Sequence, residues 1–501
     1  MEPKAIATNS KQIPEFKFKC SWVICSQFSL LLLLLISIAA SSSSAVIKTL
    51  PGFAGELPFK LETGYVGVGD AEEVQLFYLF VRSQRTPERD PLLLWLTGGP
   101  GCSTFSAFFY ESGTCFLFLN LLCPLHFSVS NYTGGIPPLF INPSTWTQYL
   151  NIIYLDSPVG AGFSYSKTQR GYIMDDYKAA AEVYTFIRKW MMDHPEFLMN
   201  QFYVGGDSYS GIIVPMVVQE IYNGNNLGFY PNFNLQGYVL GNPVTDYYID
   251  HNARVPFAKR MTLVPDNLYK AAKKHCNGNY VYIDPSNAQC LSDVQAIEEL
   301  VREINIYQIL EPVCKTISPQ GRKWGRRSLE EELDVDLNSL LQDDPAFWCR
   351  NYGYVLVGLW ANNEQVRQAL SVREGTKGYW KRCNFSMSYT ENVRSSVSYH
   401  KNLTNTRLRA LIFSGDHDMS VPHIATQTWI QSLNITVEYI WRAWYVDAQV
   451  AGYTEIYTNN DFEMTFATIK ARNRGGGHIA PEYKPKQVYE LLNRWFAYYP
   501  L

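Results

Sequence analysis

Three side chains set far apart in the chain have the types and the order needed for nucleophilic acyl transfer. Gly206-Asp207-Ser208-Tyr209-Ser210-Gly211 places a serine among small neighbours just after the strand-like residues 201–204. On a sharp strand-to-helix turn such a serine has its hydroxyl thrust above a sheet edge, open to a carbonyl. Ser210 stands where the common G-x-S-x-G pattern has its second glycine, and is still small enough for strand and helix to pack closely. Further on, Ser414-Gly415-Asp416-His417-Asp418 and Gly475-Gly476-Gly477-His478 each follow a strand-like run. Serine, then acid, then histidine is the chain order of an α/β-hydrolase triad. His478 would take the proton from Ser208, while Asp418 would hold the imidazole tautomer and stabilise its charged form. Asp418 lies further along its turn and is the preferred acid, with Asp416 as the alternative. Of the eight histidines, only His478 follows a glycine run after a strand. An oxyanion needs two backbone N–H donors. Tyr209, next after the nucleophile, offers one, and Gly99 in Thr97-Gly98-Gly99-Pro100-Gly101 is expected to offer the other.

These groups need a sheet to position them. Residues 91–96, 151–155, 201–204, 408–414 and 464–470 read as strands, several of them apolar throughout. Residues 176–194 read as an amphipathic helix with Val183, Phe186, Ile187, Trp190 and Met191 on one stripe, stopped before Pro195. Strands alternating with helices predict an α/β-hydrolase fold, a mostly parallel sheet covered on both faces. Residues 46–243 and 395–501 are the two parts of that core. Between them, residues 244–394 are polar, helical in composition and rich in cysteine, which predicts a helical, disulfide-bearing cap. Inside the cap, residues 320–327 form a basic stretch that reads as a surface loop or a processing site.

The 501 residues are 47% hydrophobic and 18% charged, a globular balance. A net charge of −3 gives no electrostatic footprint for nucleic acid. Residues 28–40 are apolar, preceded by Lys17 and Lys19 and followed by small residues. That pattern predicts a secretory signal over residues 1–45. No stable membrane association is then expected after cleavage, although a span counted from Ser21 is long enough to act as an anchor. Four glycosylation sequons follow, at Asn131, Asn384, Asn402 and Asn434. Ten cysteines, two of them (Cys20 and Cys25) in the leader, show no zinc-like spacing, so disulfides are expected and neither metal nor cofactor is.

Trp95-Leu96-Thr97-Gly98-Gly99-Pro100-Gly101-Cys102-Ser103, Asp156-Ser157-Pro158-Val159-Gly160, the Ser208 turn, Gly241-Asn242-Pro243 and Gly476-Gly477-His478-Ile479-Ala480-Pro481 are collinear. Together they resemble the serine carboxypeptidase family over residues 46–501. The resemblance implies the same triad and oxyanion donors, the disulfides Cys102–Cys383, Cys276–Cys290 and Cys314–Cys349, and a secreted or vacuolar glycoprotein. Peptidases of that family carry Asn where this chain has Thr97, and Glu where it has Asp207. With a Glu matched by Glu111, and with Gly98 beside them, those groups grip a peptide's C-terminal carboxylate. Thr97 offers a single hydroxyl on a stiff stem, and Asp207 withdraws its carboxyl by one methylene. In these details the chain is similar to the plant acyltransferase branch of the family. The expected partners are therefore a glucose-ester acyl donor and a small hydroxyl-bearing acceptor. The alternatives are a peptide C-terminus or an inactive, binding-only relative. Two departures stand out. Residues 114–123 interrupt the chain just beyond Glu111, with Cys115 and Cys123 able to pair, and residues 471–474 separate the last strand from the His478 turn. The second insertion would carry His478 away from Ser208.

Overall fold

Leu92–Leu96 is apolar without a break because both faces of the strand it forms are covered. In the computed structural model, which describes residues 44–111, 124–127, 132–141, 145–313, 350–470 and 475–501, Leu93 and Trp95 enter one hydrophobic cluster. Leu92, Leu94 and Leu96 enter the cluster on the opposite face. The same division runs through the neighbouring strands, with Ile152 and Tyr154 on one side against Ile153 and Leu155 on the other.

The strands are β1 (Ala45–Ile47), β2 (Leu61–Val68), β3 (Val74–Val81), β4 (Leu92–Leu96), β5 (Asn151–Leu155), β6 (Phe202–Asp207), β7 (Leu235–Gly241), β8 (Arg409–Gly415), β9 (Thr436–Val446), β10 (Gln449–Asn459) and β11 (Phe462–Ile469). They lie in the order β1-β2-β3-β5-β4-β6-β7-β8-β11-β10-β9, and Tyr165–Ser166 pairs with β3 to complete a 12-stranded sheet. From β5 across to β11 every neighbour is parallel. Both flanks are antiparallel hairpins. This is the mostly parallel α/β-hydrolase sheet expected from the alternation of strands and helices, with antiparallel strands added at each side.

Two helices lead the cover of one face, with Trp429 and Ile430 of the helix His423–Ser432 buried beside them. Helix α1 (Asp176–Asp193) starts where the Asp175 side chain accepts the Lys178 N–H, and it buries Val183, Phe186, Ile187, Trp190 and Met191. Helix α2 (Ser210–Asn226) begins immediately after the Ser208 turn. Four helices then leave the sheet, α3 (Tyr247–Asn252), α4 (Arg254–Arg260), α5 (Asp266–His275) and α6 (Ala288–Val301). They share a small core in which Phe257, Ala272 and Ile297 pack with Met419 and Ile424 from beyond β8. The Cys276–Cys290 disulfide joins the end of α5 to the start of α6. Helix α7 (Asn351–Ala361) belongs instead to the main core, where the Trp360 ring packs on Phe105, Phe109 and Phe127.

The Cys102–Cys383 disulfide ties the glycine turn after β4 to the far end of the insertion. Asn402 and Asn434 are exposed, whereas the Asn384 amide is half-buried and donates to the Gly160 carbonyl at 3.1 Å. Residues 1–43, Asn131, residues 114–123, 320–327 and 471–474, and the expected Cys314–Cys349 pair lie outside the described residues. Among the described residues no helix is long and apolar enough to cross a membrane.

Candidate active site

The parallel strands all end at one edge, and the chemistry-bearing turns collect there. Ser208 sits between β6 and α2 at φ 54°, in the left-handed region that a non-glycine residue enters at a cost. The turn is over-determined. The Ser208 N–H donates to the Gly241 carbonyl at 2.9 Å, and its carbonyl accepts from Val244 at 2.8 Å and Gly211 at 3.0 Å. Ser210 fits where a glycine is usual because its hydroxyl donates to the Leu96 carbonyl at 2.9 Å.

The structure brings the three expected residues together. Ser208 Oγ lies 2.8 Å from His478 Nε2, and His478 Nδ1 lies 2.8 Å from Asp418 Oδ2. A carboxylate only accepts, so Nδ1 carries the proton toward Asp418 and Nε2 is left to receive the serine proton. Burial alone would lower the His478 pKa, but the Asp418 charge and hydrogen bond outweigh it and leave it raised. The residues inserted before the His478 turn therefore do not keep the imidazole from the serine.

Asp418 is fully buried and every lone-pair direction is used. Its Oδ2 also accepts the Asn242 amide at 2.8 Å, and its Oδ1 accepts the N–H groups of Ser420 at 2.7 Å and Val421 at 3.1 Å. Asn242 was not among the sequence candidates, although Gly241-Asn242-Pro243 marked its position. It stands at the end of β7 at φ 43° and bridges to the next strand by accepting the Gly415 N–H at 3.2 Å. Asp416, the alternative acid, is engaged elsewhere. Its Oδ1 binds the His417 ring at 2.6 Å and accepts the Gly476 N–H at 2.9 Å, which pins the glycine run before His478.

The glycine turn after β4 is laid directly on the Ser208 turn. A Cβ placed on Gly98 would lie 2.6 Å from Ser208 Cβ and 2.8 Å from the Tyr209 nitrogen. Asp156 holds the turn by accepting from Ser103 Oγ at 2.9 Å and the Thr104 N–H at 2.7 Å. Tyr209 is tethered by its hydroxyl, which donates to Asp176 at 2.7 Å. This packing places Gly99 and Tyr209, the two expected oxyanion donors, on adjoining turns around Ser208.

Beside the serine lie buried polar groups with unspent hydrogen-bonding capacity. Thr97 Oγ1 and both Asp207 oxygens are buried without a hydrogen-bond partner. The Gly98 N–H and the residue's own N–H lie near enough to favour the charged Asp207, but neither closes a bond of normal geometry. Burial pushes Asp207 up to about 7. Glu111 accepts the Trp95 indole N–H at 3.0 Å, and burial together with the nearby Asp207 charge raises its pKa well above the usual carboxylate range. Asp207 and Glu111 do not hydrogen-bond each other.

Comparison with known proteins points to one family. The serine carboxypeptidase family model matches residues 51–498. Serine carboxypeptidase-like 16 of Arabidopsis thaliana is 46% identical over 90% of this chain and 94% of its own length. Serine carboxypeptidase-like 14 of the same plant is 45% identical, over 91% and 94% respectively. Among solved structures, the prohormone-processing carboxypeptidase Kex1(Δ)p of Saccharomyces cerevisiae superposes with a TM-score of 0.64 at 17% identity, covering 88% of this chain and 91% of that one.

Proposed function

Because the chain belongs to the serine carboxypeptidase family, we propose that it is an acyltransferase in which Ser208 is acylated by a 1-O-acyl glucose and passes the acyl group to a hydroxyl-bearing small molecule. The observation that carries the chemistry is the Ser208–His478–Asp418 relay, with both contacts at 2.8 Å. Ser208 Oγ attacks the ester carbonyl as its proton moves to His478 Nε2, and the same proton goes to the departing glucose oxygen. An acceptor hydroxyl then gives its proton to Nε2 and attacks the serine ester, and Nε2 passes that proton to Ser208 Oγ as it leaves. Gly99 and Tyr209 would stabilise each oxyanion.

The unpartnered polar groups beside Ser208 support the finer choice. Above pH 7 an anionic ligand would meet a charged Asp207, since its pKa is about 7. A sugar hydroxyl both donates and accepts, so it can satisfy Thr97 Oγ1 and the Asp207 oxygens in either protonation state. One observation favours a carboxypeptidase instead. In acid both Asp207 and Glu111 are protonated and could donate to a peptide carboxylate. We place the protein in the secretory route, secreted or vacuolar, because the two disulfides among the described residues need an oxidising compartment.

Secreted recombinant protein is incubated with a blocked dipeptide and, separately, with acyl glucose plus an alcohol acceptor. New ester is expected. Release of the C-terminal amino acid without ester formation refutes the transferase reading. Folded protein whose Ser208 is not labelled by a fluorophosphonate refutes acyl transfer altogether.

A further inference from the structure

The acid and the base ride on two different turns, one beyond β8 and one beyond β11. A stretch of the insertion without any motif, residues 304–311, runs across both. The Ile306 carbonyl accepts the N–H groups of Met419 at 2.8 Å and Ser420 at 2.9 Å, just after Asp418. The next carbonyl, that of Tyr307, accepts the N–H of His478 itself at 2.7 Å. Consecutive peptide units hold a fixed spacing of about 3.8 Å between Cα atoms, so these two carbonyls gauge the separation of the turns. Outside this pair, Ile309 donates to the His417 carbonyl at 3.3 Å, and the wholly buried Gln308 donates its amide to the Gly475 carbonyl at 3.3 Å. Only glycine lets the segment so near, because a Cβ on Gly477 would lie 2.8 Å from the Tyr307 carbonyl oxygen.

The end of the segment is clamped. Glu311 takes the Arg350 guanidinium through Nη2 at 2.7 Å and Nε at 3.2 Å. Arg350 Nη1 reaches the Glu482 carbonyl at 3.3 Å and its carboxylate at 3.4 Å, and the Tyr354 hydroxyl donates to the same carboxylate at 2.6 Å. Glu482 lies in the short helix that leads away from His478. The Arg350, Glu311 and Glu482 side chains are 8%, 7% and 4% exposed, and a bidentate fork buried to that degree fixes orientation as well as distance.

We propose that residues 304–311, clamped by Glu311, Arg350 and Glu482, form a strap that holds His478 and Asp418 in register for proton transfer, with Gln308 and Arg350 as its positioning residues. The inference rests on the acyl-transfer reading above. A base displaced by about 1 Å loses on the order of a hundredfold in rate.

Gln308→Met keeps the volume and every backbone carbonyl of the strap while deleting the bond to Gly475 and the one that Gln308 Oε1 accepts from the Leu310 N–H at 3.2 Å. Ser208 labelling by a fluorophosphonate is followed from acid to alkaline pH, alongside kcat and KM on an activated ester and thermal stability. The imidazole faces Asp418, Asp207 and Arg254, with the Tyr307 ring 5.4 Å from its own, and the substitution alters none of these groups. Labelling and kcat should fall by about tenfold or more, with KM changed less than about twofold and the labelling pKa moved down as the imidazole loosens from Asp418. Should Gln308→Met not accumulate, Arg350→Lys is read in the same way, since it keeps the charge and loses the fork. A folded variant with the wild-type rate and pH profile overturns the strap. So does a loss of activity that only tracks the loss of folded protein. If wild-type protein is itself unlabelled, it is the acyl-transfer reading that fails.

Discussion

Adding one methyl group behind the nucleophile should cripple catalysis in a protein that still folds. At Gly98 the new Cβ of Gly98→Ala would lie 2.6 Å from Ser208 Cβ, 2.8 Å from the Asp207 carbonyl oxygen and 2.8 Å from the Tyr209 nitrogen. All three atoms belong to the nucleophile turn itself, so no flexible side chain can swing away. Comfortable carbon contacts need about 3.5–4 Å, which leaves a shortfall of about 1 Å. The nucleophile turn is pinned at Gly241, Val244 and Gly211, and the glycine turn at Asp156 and Cys383. The strain must therefore open the joint between them, where the oxyanion would lie. A displacement of that size predicts a kcat lower by about a hundredfold, or about 2.7 kcal/mol in the barrier. Overpacking should cost about 1–3 kcal/mol of stability, short of unfolding. Burst kinetics with an activated ester measure acylation directly, and circular dichroism confirms the fold. A folded Gly98→Ala protein with kcat within about threefold of wild type would refute the reasoning.

Asp418→Asn should lower kcat by about 10⁴-fold, because an amide has one accepting oxygen where the carboxylate has two, and turning that oxygen to the Ser420 and Val421 N–H groups leaves an NH2 facing His478 Nδ1, which forces the wrong imidazole tautomer; single-turnover acylation measures it, and a loss under about tenfold would count against Asp418 as the acid. Far from the site, His194 stacks on Trp190 at 4.0 Å and binds Glu62 at 3.0 Å. Burial would lower the His194 pKa and raise that of Glu62, but their mutual bond outweighs it in both, so His194 is raised above 6.5 and Glu62 lowered below 4.5. The His194 contribution is full below pH 6.5 and disappears as pH climbs through its folded pKa, whereas the Glu62 contribution is full above pH 4.5 and disappears as pH falls through its folded pKa. Melting temperatures of wild type and His194→Gln should therefore differ most between about pH 4.5 and 6.5 and converge above neutrality. A difference that stays constant with pH would refute the linkage.

The nucleophile, acid and base were legible because each follows an apolar strand and their chain order matches one known relay. The same logic placed α1, down to the five side chains of its buried stripe. Asn242 was not legible as a partner of Asp418, since its reach depends on a positive φ and on β7 lying beside β8. Position along the turn favoured Asp418 over Asp416 without showing what either carboxylate faces. Only the fold shows one carboxylate facing the imidazole and the other facing His417 and Gly476. The β9–β10 hairpin escaped notice because much of β9 is exposed, Ile440 at 77%, so no apolar run marks a buried strand. Residues 304–311 escaped it for a different reason. Their hold on the two turns is made largely by carbonyl oxygens, which every residue carries, and no pattern of side chains announces it.

That last feature separates two kinds of evolutionary pressure. Tyr307 contributes its carbonyl to the frame and, from the same residue, presents a ring that is 51% exposed beside the imidazole. The ring can be exchanged for another side chain while the carbonyl stays where it is. Descendants of this gene are thus free to change the side chain beside the imidazole while the backbone hold on His478 is inherited intact.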